Sequence, residues 1–374
     1  MRIIILSMVL ATILTGCYHC RKSVLFGNHN KNTNSQSYSV FMDERGSFYP
    51  EESIKNSRLK RSHGQLQLFY EKNNFEELKK AGNFETFESF QDHLVKKISS
   101  EINQRYETGK HESITIILLG YNNKYEPSVV KLNQLENKIN EHLELIGKTS
   151  FIVPLYWDGK RSIVGADVLS IFNNANANSY NAGIKLRHLV NSLSANQINI
   201  ISHSLGANVV TQLLFNQITK VQDDSSEGEE SVFLNLKAAY SDEKYRTTNK
   251  TIKVGLIAPA IPGYSTFLDY DKRSHKYDPN YDNYKFFIGF NKYDPVLNKF
   301  IRRLSPTLSS TTFGCDYHNE IDRVKLLFCT KYNTENMEFI DFSLKKCNKH
   351  KKHGISSYME MPQYDQLLKS IFNE

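Results

Sequence analysis

The chain has 374 residues, 40% of them hydrophobic and 23% charged, which is enough for a substantial core in one large domain or two ordinary ones. That composition excludes an intrinsically disordered chain. The formal net charge of +7 is spread along the sequence instead of gathering on one predicted face, which speaks against nucleic-acid binding and for a solvated, lysine-rich surface.

Met1 and Arg2 form a short positive start, and residues 3–14 are mostly apolar. The run is too short to cross a bilayer as a helix and reads as a secretory signal. It closes in Leu14-Thr15-Gly16-Cys17, which resembles a bacterial lipobox. The resemblance implies a signal peptide over residues 1–16, cleavage before Cys17, and acylation of that cysteine with fatty chains such as palmitate, which anchor the protein to a membrane. Tyr18 stands where an inner-membrane retention signal of enteric lipoproteins often has Asp, so the expected location is the bacterial cell envelope, at the outer membrane. Cys20, Cys315, Cys329 and Cys347 then remain in an oxidising compartment. Four cysteines allow three pairings and their spacing matches no zinc pattern, so the expectation is a structural disulfide in the C-terminal part.

Residues 17–60 are polar and aperiodic and read as a tether, leaving residues 61–374 as the globular domain. Residues 65–70 (QLQLFY) alternate polar and apolar and predict an early strand. From 84 to 106, Phe87, Phe90, Leu94, Ile98 and Ile102 recur at helical spacing as a packing stripe. Residues 114–119 (ITIILL) predict a parallel strand buried on both faces, ending at Gly120. An amphipathic helix follows over 129–146, then a strand over 151–157 (FIVPLYW), then a helix over 180–193. The chain thus alternates strand and helix, the pattern of a mostly parallel sheet covered on both faces, an α/β class.

The stretch 198–214 (INIISHSLGANVVTQLL) organises the rest. A short apolar run meets Ser-His-Ser-Leu-Gly and then a helix-forming run, so Ser204 sits at the apex of a strand–turn–helix. Small residues stand two before and two after it, Ser202 and Gly206, where strand and helix nearly touch. This resembles the nucleophile elbow of the α/β-hydrolase superfamily, with Ser202 in place of the first glycine of Gly-x-Ser-x-Gly. Gly120-Tyr121-Asn122, after the 114–119 strand, is similar to the turn that supplies the second oxyanion-hole N–H in lipase-like members, with Leu119 where those often carry His. The resemblance implies backbone donors from Leu205 and Tyr121. It gives His203 a packing role and places an aromatic like Trp157 in the cleft lining, although a single Trp is more often core than a ligand platform.

Residues 219–250 read as a charged surface insertion, and 253–258 (KVGLIA) resumes the sheet. Residues 262–284 are crowded with tyrosines; in these hydrolases an excursion here often forms a lid, and an ordered surface loop fits equally. After the strand 286–290 (FFIGF), Asp294-Pro295 stands where the family places its acid. A last strand over 337–342 and a closing helix over 364–372 flank the loop where the family places its histidine. The resemblance favours His353, followed five residues later by Tyr358, ahead of His350 and His318. It implies a Ser204–His353–Asp294 serine hydrolase acting on carboxylic esters, lipids among them, with no metal or organic cofactor. A ligand-binding lipoprotein on an inert hydrolase scaffold, and an amidase or peptidase, are the alternatives.

Overall fold

The computed structural model describes residues 37–49, 66–67, 70, 76–121, 125–158, 168–215, 250–264, 266–267, 283–297, 312–316, 319–331, 336–343 and 353–373. Their elements run β1 (Val40–Met42), α1 (Glu76–Gly82), α2 (Phe87–Thr108), β2 (Ser113–Leu118), α3 (Tyr125–Leu145), β3 (Ser150–Trp157), α4 (Val168–Ser192), β4 (Gln197–His203), α5 (Gly206–Phe215), β5 (Thr251–Ile257), β6 (Tyr284–Phe290), α6 (Glu320–Lys331), β7 (Met337–Asp341), α7 (Ile355–Met359) and α8 (Pro362–Phe372).

The apolar, β-branched runs form strands because every residue of β2 and β3 is buried, as a sheet covered on both faces requires. Helix α2 starts where Thr86 Oγ1 accepts the Ser89 N–H at 3.1 Å and Ser89 Oγ reaches back to the Thr86 N–H. That reciprocal pair satisfies two amides the helix itself leaves open. Its stripe of Phe87, Phe90, Leu94, Ile98 and Ile102 is buried, as the spacing predicts.

The seven strands are ordered β1-β3-β2-β4-β5-β6-β7, and all six pairings are parallel. From β2 the chain steps outward to β3, then crosses back over β2 to β4 and proceeds the other way to β5. Right-handed crossovers in opposite directions put α3 on one face of the sheet and α4 with α5 on the other. Accordingly α4 packs on α5 and α2, while α3 packs with α7 and α8. The loops leaving β2 and β4 diverge, and such a switch point opens a crevice at the carboxyl ends of the strands.

Several expectations are corrected. Leu66, Gln67 and Tyr70 are helical, where alternation predicted a strand. Leu66 and Tyr70 are also one helical turn apart and both are buried, so the same apolar spacing serves a helix. Residues 40–42, read within the tether, are edge strand β1, paired with Leu155–Trp157; three residues are too few to show a period. Tyr284, assigned to the Tyr-rich excursion, begins β6 and is fully buried, and Phe267 from the same excursion packs in the core against Phe215, Phe286 and Phe313. Cys315 is a buried thiol in no disulfide, its S–H directed at the Thr312 carbonyl 3.3 Å away. The signal segment with Cys17, Cys20 and Cys347, residues 216–249 of the charged insertion, residues 268–282 of the excursion, His318 and His350 lie outside the described residues, as does the side chain of Cys329.

Candidate active site

At the switch point, β4 hands the chain directly to α5 through Ser204. A residue with a β-carbon disfavours the left-handed φ of 56° found there, at a cost of about 1–3 kcal/mol. The surroundings impose it. The Ser204 N–H donates to the Ile257 carbonyl at 3.0 Å, and its carbonyl accepts the Ala207 and Ala260 N–H groups, each at 3.1 Å. The turn is tight enough that a β-carbon on Gly206 would lie 3.0 Å from the Leu119 carbonyl oxygen. Ser202, at the position before the bend, is buried with an Oγ that meets no hydrogen-bond partner among the described residues.

The histidine arrives from the other end of the domain. His353 precedes α7, and its Nε2 lies 2.7 Å from Ser204 Oγ while its Nδ1 lies 2.7 Å from Asp294 Oδ2. Asp294, on the loop after β6, is completely buried. Its Oδ1 accepts the Val296 and Leu297 N–H groups at 2.9 and 3.1 Å, and its Oδ2 also accepts the Tyr358 hydroxyl at 2.6 Å. Burial pushes the Asp294 carboxyl up. The facing His353 charge and the hydrogen bonds from His353, Tyr358 and Leu297 outweigh burial and bring it down to about 2. An ionised Asp294 fixes the hydrogen on His353 Nδ1, which leaves Nε2 to accept the serine hydroxyl.

His203 lies behind this chain. Its Nε2 is 2.7 Å from the His353 carbonyl oxygen, so that nitrogen carries the hydrogen, and the two rings sit 4.8 Å apart. Burial, followed by the charge on His353, lowers His203 to about 3. It stays neutral and adds no repulsion when His353 takes up a proton.

In front of Ser204, Gly120 leaves open a space that a side chain would fill. A β-carbon there would stand 2.8 Å from Ser204 Cβ, 3.0 Å from Leu205 N and 3.1 Å from Ser204 Oγ. Leu205 N thus borders the same small volume as the hydroxyl, at the N-terminus of α5, where the helix dipole favours an anion. Tyr121 follows with its ring edge-on to Phe172 at 5.3 Å, and burial pushes its phenol up to about 12. Trp157 is 5% exposed and does not line the cleft; its indole N–H donates to the Leu119 carbonyl at 2.7 Å and pins the turn before Gly120.

Ser204, His353, Asp294 and Leu205 therefore converge, with Tyr121 beside them. Tyr358 and the brace from Trp157 were not assigned from sequence; the only signal for Tyr358 was its place five residues after His353. A family described as "Alpha/beta hydrolase of unknown function (DUF900)" matches residues 95–269. With the seven-stranded parallel sheet, that match decides the fold. It is an α/β-hydrolase fold. The matched stretch contains Gly120 and the Ser204 elbow of the hydrolase fold, and ends before Asp294 and His353. No curated protein and no solved structure matches the chain. Among the described residues no cluster of three or more His, Cys, Asp or Glu could hold a metal, and no helix is long and apolar enough to cross a membrane.

Proposed function

We propose that the protein is a serine hydrolase that cleaves carboxylic esters, lipids among them, through an acyl-enzyme. The observation that carries this reading is the unbroken chain of hydrogen bonds from Ser204 Oγ through His353 to Asp294. Ser204 Oγ attacks the ester carbonyl carbon as its proton passes to His353 Nε2. The oxygen that becomes negative lies in the space kept open by Gly120, held by the Leu205 and Tyr121 N–H groups. The C–O bond then breaks as Nε2–H protonates the leaving alcohol. Water adds to the acyl-enzyme with the same nitrogen as base, releasing the acid and restoring the serine hydroxyl. Asp294 stays ionised throughout and stabilises the imidazolium. By the lipobox-like start of the chain, the enzyme is anchored through acylated Cys17 at the outer membrane of a bacterial cell envelope.

The test is covalent labelling of the full-length protein in detergent with a fluorophosphonate, beside Ser204→Ala and Asp294→Asn. Wild-type labelling should vanish in the first variant and slow by up to about 10⁴-fold in the second, which permits the wrong imidazole tautomer. A folded wild type that takes no label is an inert scaffold, and faster turnover of amides than of short esters makes it an amidase. Incorporation of an alkynyl palmitate analogue that persists in Cys17→Ser would remove the proposed anchor.

A further inference from the structure

The Asp294 carboxylate receives more donors than a catalytic acid needs to orient one imidazole. Backbone amides occupy Oδ1, and two side-chain donors share Oδ2: His353 Nδ1–H at 2.7 Å and the Tyr358 hydroxyl at 2.6 Å. Tyr358 is fully buried on α7, the short helix that begins two residues after His353, so one segment carries both groups that grip this oxygen. Its ring is wedged edge-on to Phe342 at 5.4 Å and lies 6.0 Å from the His203 ring.

The hydroxyl's direction is set from behind. Asn291 is fully buried, and its Oδ1 accepts the Tyr293 N–H at 3.0 Å, which leaves the amide NH₂ for the Tyr358 oxygen with which it is hydrogen-bonded. The ionised Asp294 carboxylate can only accept, so across the 2.6 Å to its Oδ2 the phenolic hydrogen points at Asp294. Burial and the facing Asp294 charge both push the Tyr358 phenol far up, so it remains a neutral donor. The sequence of donors is Asn291 to Tyr358 to Asp294, with His353 arriving at the same carboxylate from the other side.

We propose that Tyr358 is a positioning residue for the base, which holds the Asp294 carboxylate in place and weakens its hold on protonated His353, so that His353 is free to return its proton to the leaving group. A carboxylate that shares its oxygen with a second strong donor has less negative charge to offer the imidazolium. This inference rests on the serine-hydrolase reading. Among the described residues, the other titratable and charged groups facing the assembly are His203, Lys131 beyond it, and the Cys315 thiol near Tyr358.

The experiment measures fluorophosphonate labelling rate against pH for the full-length wild type, Tyr358→Phe and Asn291→Asp, with thermal melting of each. Phenylalanine keeps the buried ring and removes only the hydroxyl. With the extra donor gone, Asp294 holds the imidazolium more tightly, and the acid limb of the profile should move to higher pH by about half to one unit. The labelling rate at neutral pH should fall about 3- to 30-fold. Asn291→Asp, which can no longer donate to the phenol when ionised, should shift the limb in the same direction by less. If wild type labels and Tyr358→Phe labels with an unmoved acid limb, Tyr358 is only packing and the inference is overturned while the hydrolase reading stands. If wild type takes no label, both fall.

Discussion

Substituting Gly120 by alanine tests whether the volume in front of Ser204 belongs to the reacting group. The added methyl would stand 2.8 Å from Ser204 Cβ, 3.0 Å from Leu205 N and 3.1 Å from Ser204 Oγ, where carbon contacts prefer about 3.5–4.0 Å. None of those atoms is the free end of a flexible chain. Ser204 is held by three backbone hydrogen bonds, and the neighbouring Leu119 carbonyl is pinned by Trp157 and faced by Gly206. Relief must therefore come from the Gly120 turn moving outward, which takes the Tyr121 N–H with it and, in the proposed mechanism, fills the place of the developing anion. Losing one such donor costs about 3 kcal/mol, so labelling should slow about 100-fold or more. The overpacking should cost about 1–3 kcal/mol of stability, or several degrees in melting temperature. Fluorophosphonate labelling and thermal melting read both quantities on one preparation. A Gly120→Ala protein that labels at the wild-type rate would mean that this space is not where the reacting oxygen sits.

Two further predictions concern buried groups around the elbow. Ser202→Ala removes a buried hydroxyl with no partner among the described residues and should raise stability by about 1 kcal/mol, seen as a rise of about 2–4 °C in melting temperature with labelling retained. His203→Gln keeps a donor for the His353 carbonyl but cannot titrate. His203 falls from an ordinary 6.5 to about 3 on folding, so the unfolded chain binds the extra proton between those values and stability is lost as pH drops below about 6.5. Between pH 6.5 and 5 that loss is about 2 kcal/mol for wild type and absent in the variant. Asp43, raised to about 6 by burial, works in the opposite sense over the same range, so the informative quantity is the wild-type-minus-variant difference in urea unfolding at the two pH values. A difference that does not change with pH contradicts the buried neutral state of His203.

The parallel α/β architecture was legible because β2 and β4 are β-branched runs of strand length and α3 between them carries an unbroken apolar stripe. Those signals are local. Strand β1 carries no such signal, because its three residues acquire meaning only by pairing with Leu155–Trp157. The elbow could be read for the same reason as the strands: strand, small residue, serine, small residue and helix are contiguous. Asp294 and His353 have no local signature of their own, since 149 residues separate His353 from the hydroxyl it meets, and only resemblance in chain order pointed to them. Tyr358 is a stage further away. Nothing in a tyrosine at that spacing indicates that its hydroxyl will share an oxygen with a histidine on the same segment.

The two departures from the hydrolase pattern, Leu119 and Ser202, stand next to Gly120 and two residues before Ser204, and the structure answers them differently. Leu119 replaces a histidine whose usual part is to support the turn, and support here comes from the Trp157 indole bonded to the Leu119 carbonyl. The backbone before Gly120 therefore has a fixed anchor without an imidazole, and the Leu119 side chain can be spent on the core, where it is 5% exposed. Ser202 has no such compensation: its buried hydroxyl meets no partner among the described residues, two positions before the strained one. A destabilising group is tolerated there because the turn is held by backbone hydrogen bonds, from Ser204 N–H to Ile257 and from Ala260 N–H to Ser204, which do not depend on the side chain at 202. Those bonds tie the elbow to β5 and the loop after it, while the Tyr358 hydroxyl holds Asp294 and His203 holds the His353 carbonyl. The geometry at Ser204 is thus determined by two independent sets of contacts, so neither departure alone is sufficient to dismantle it.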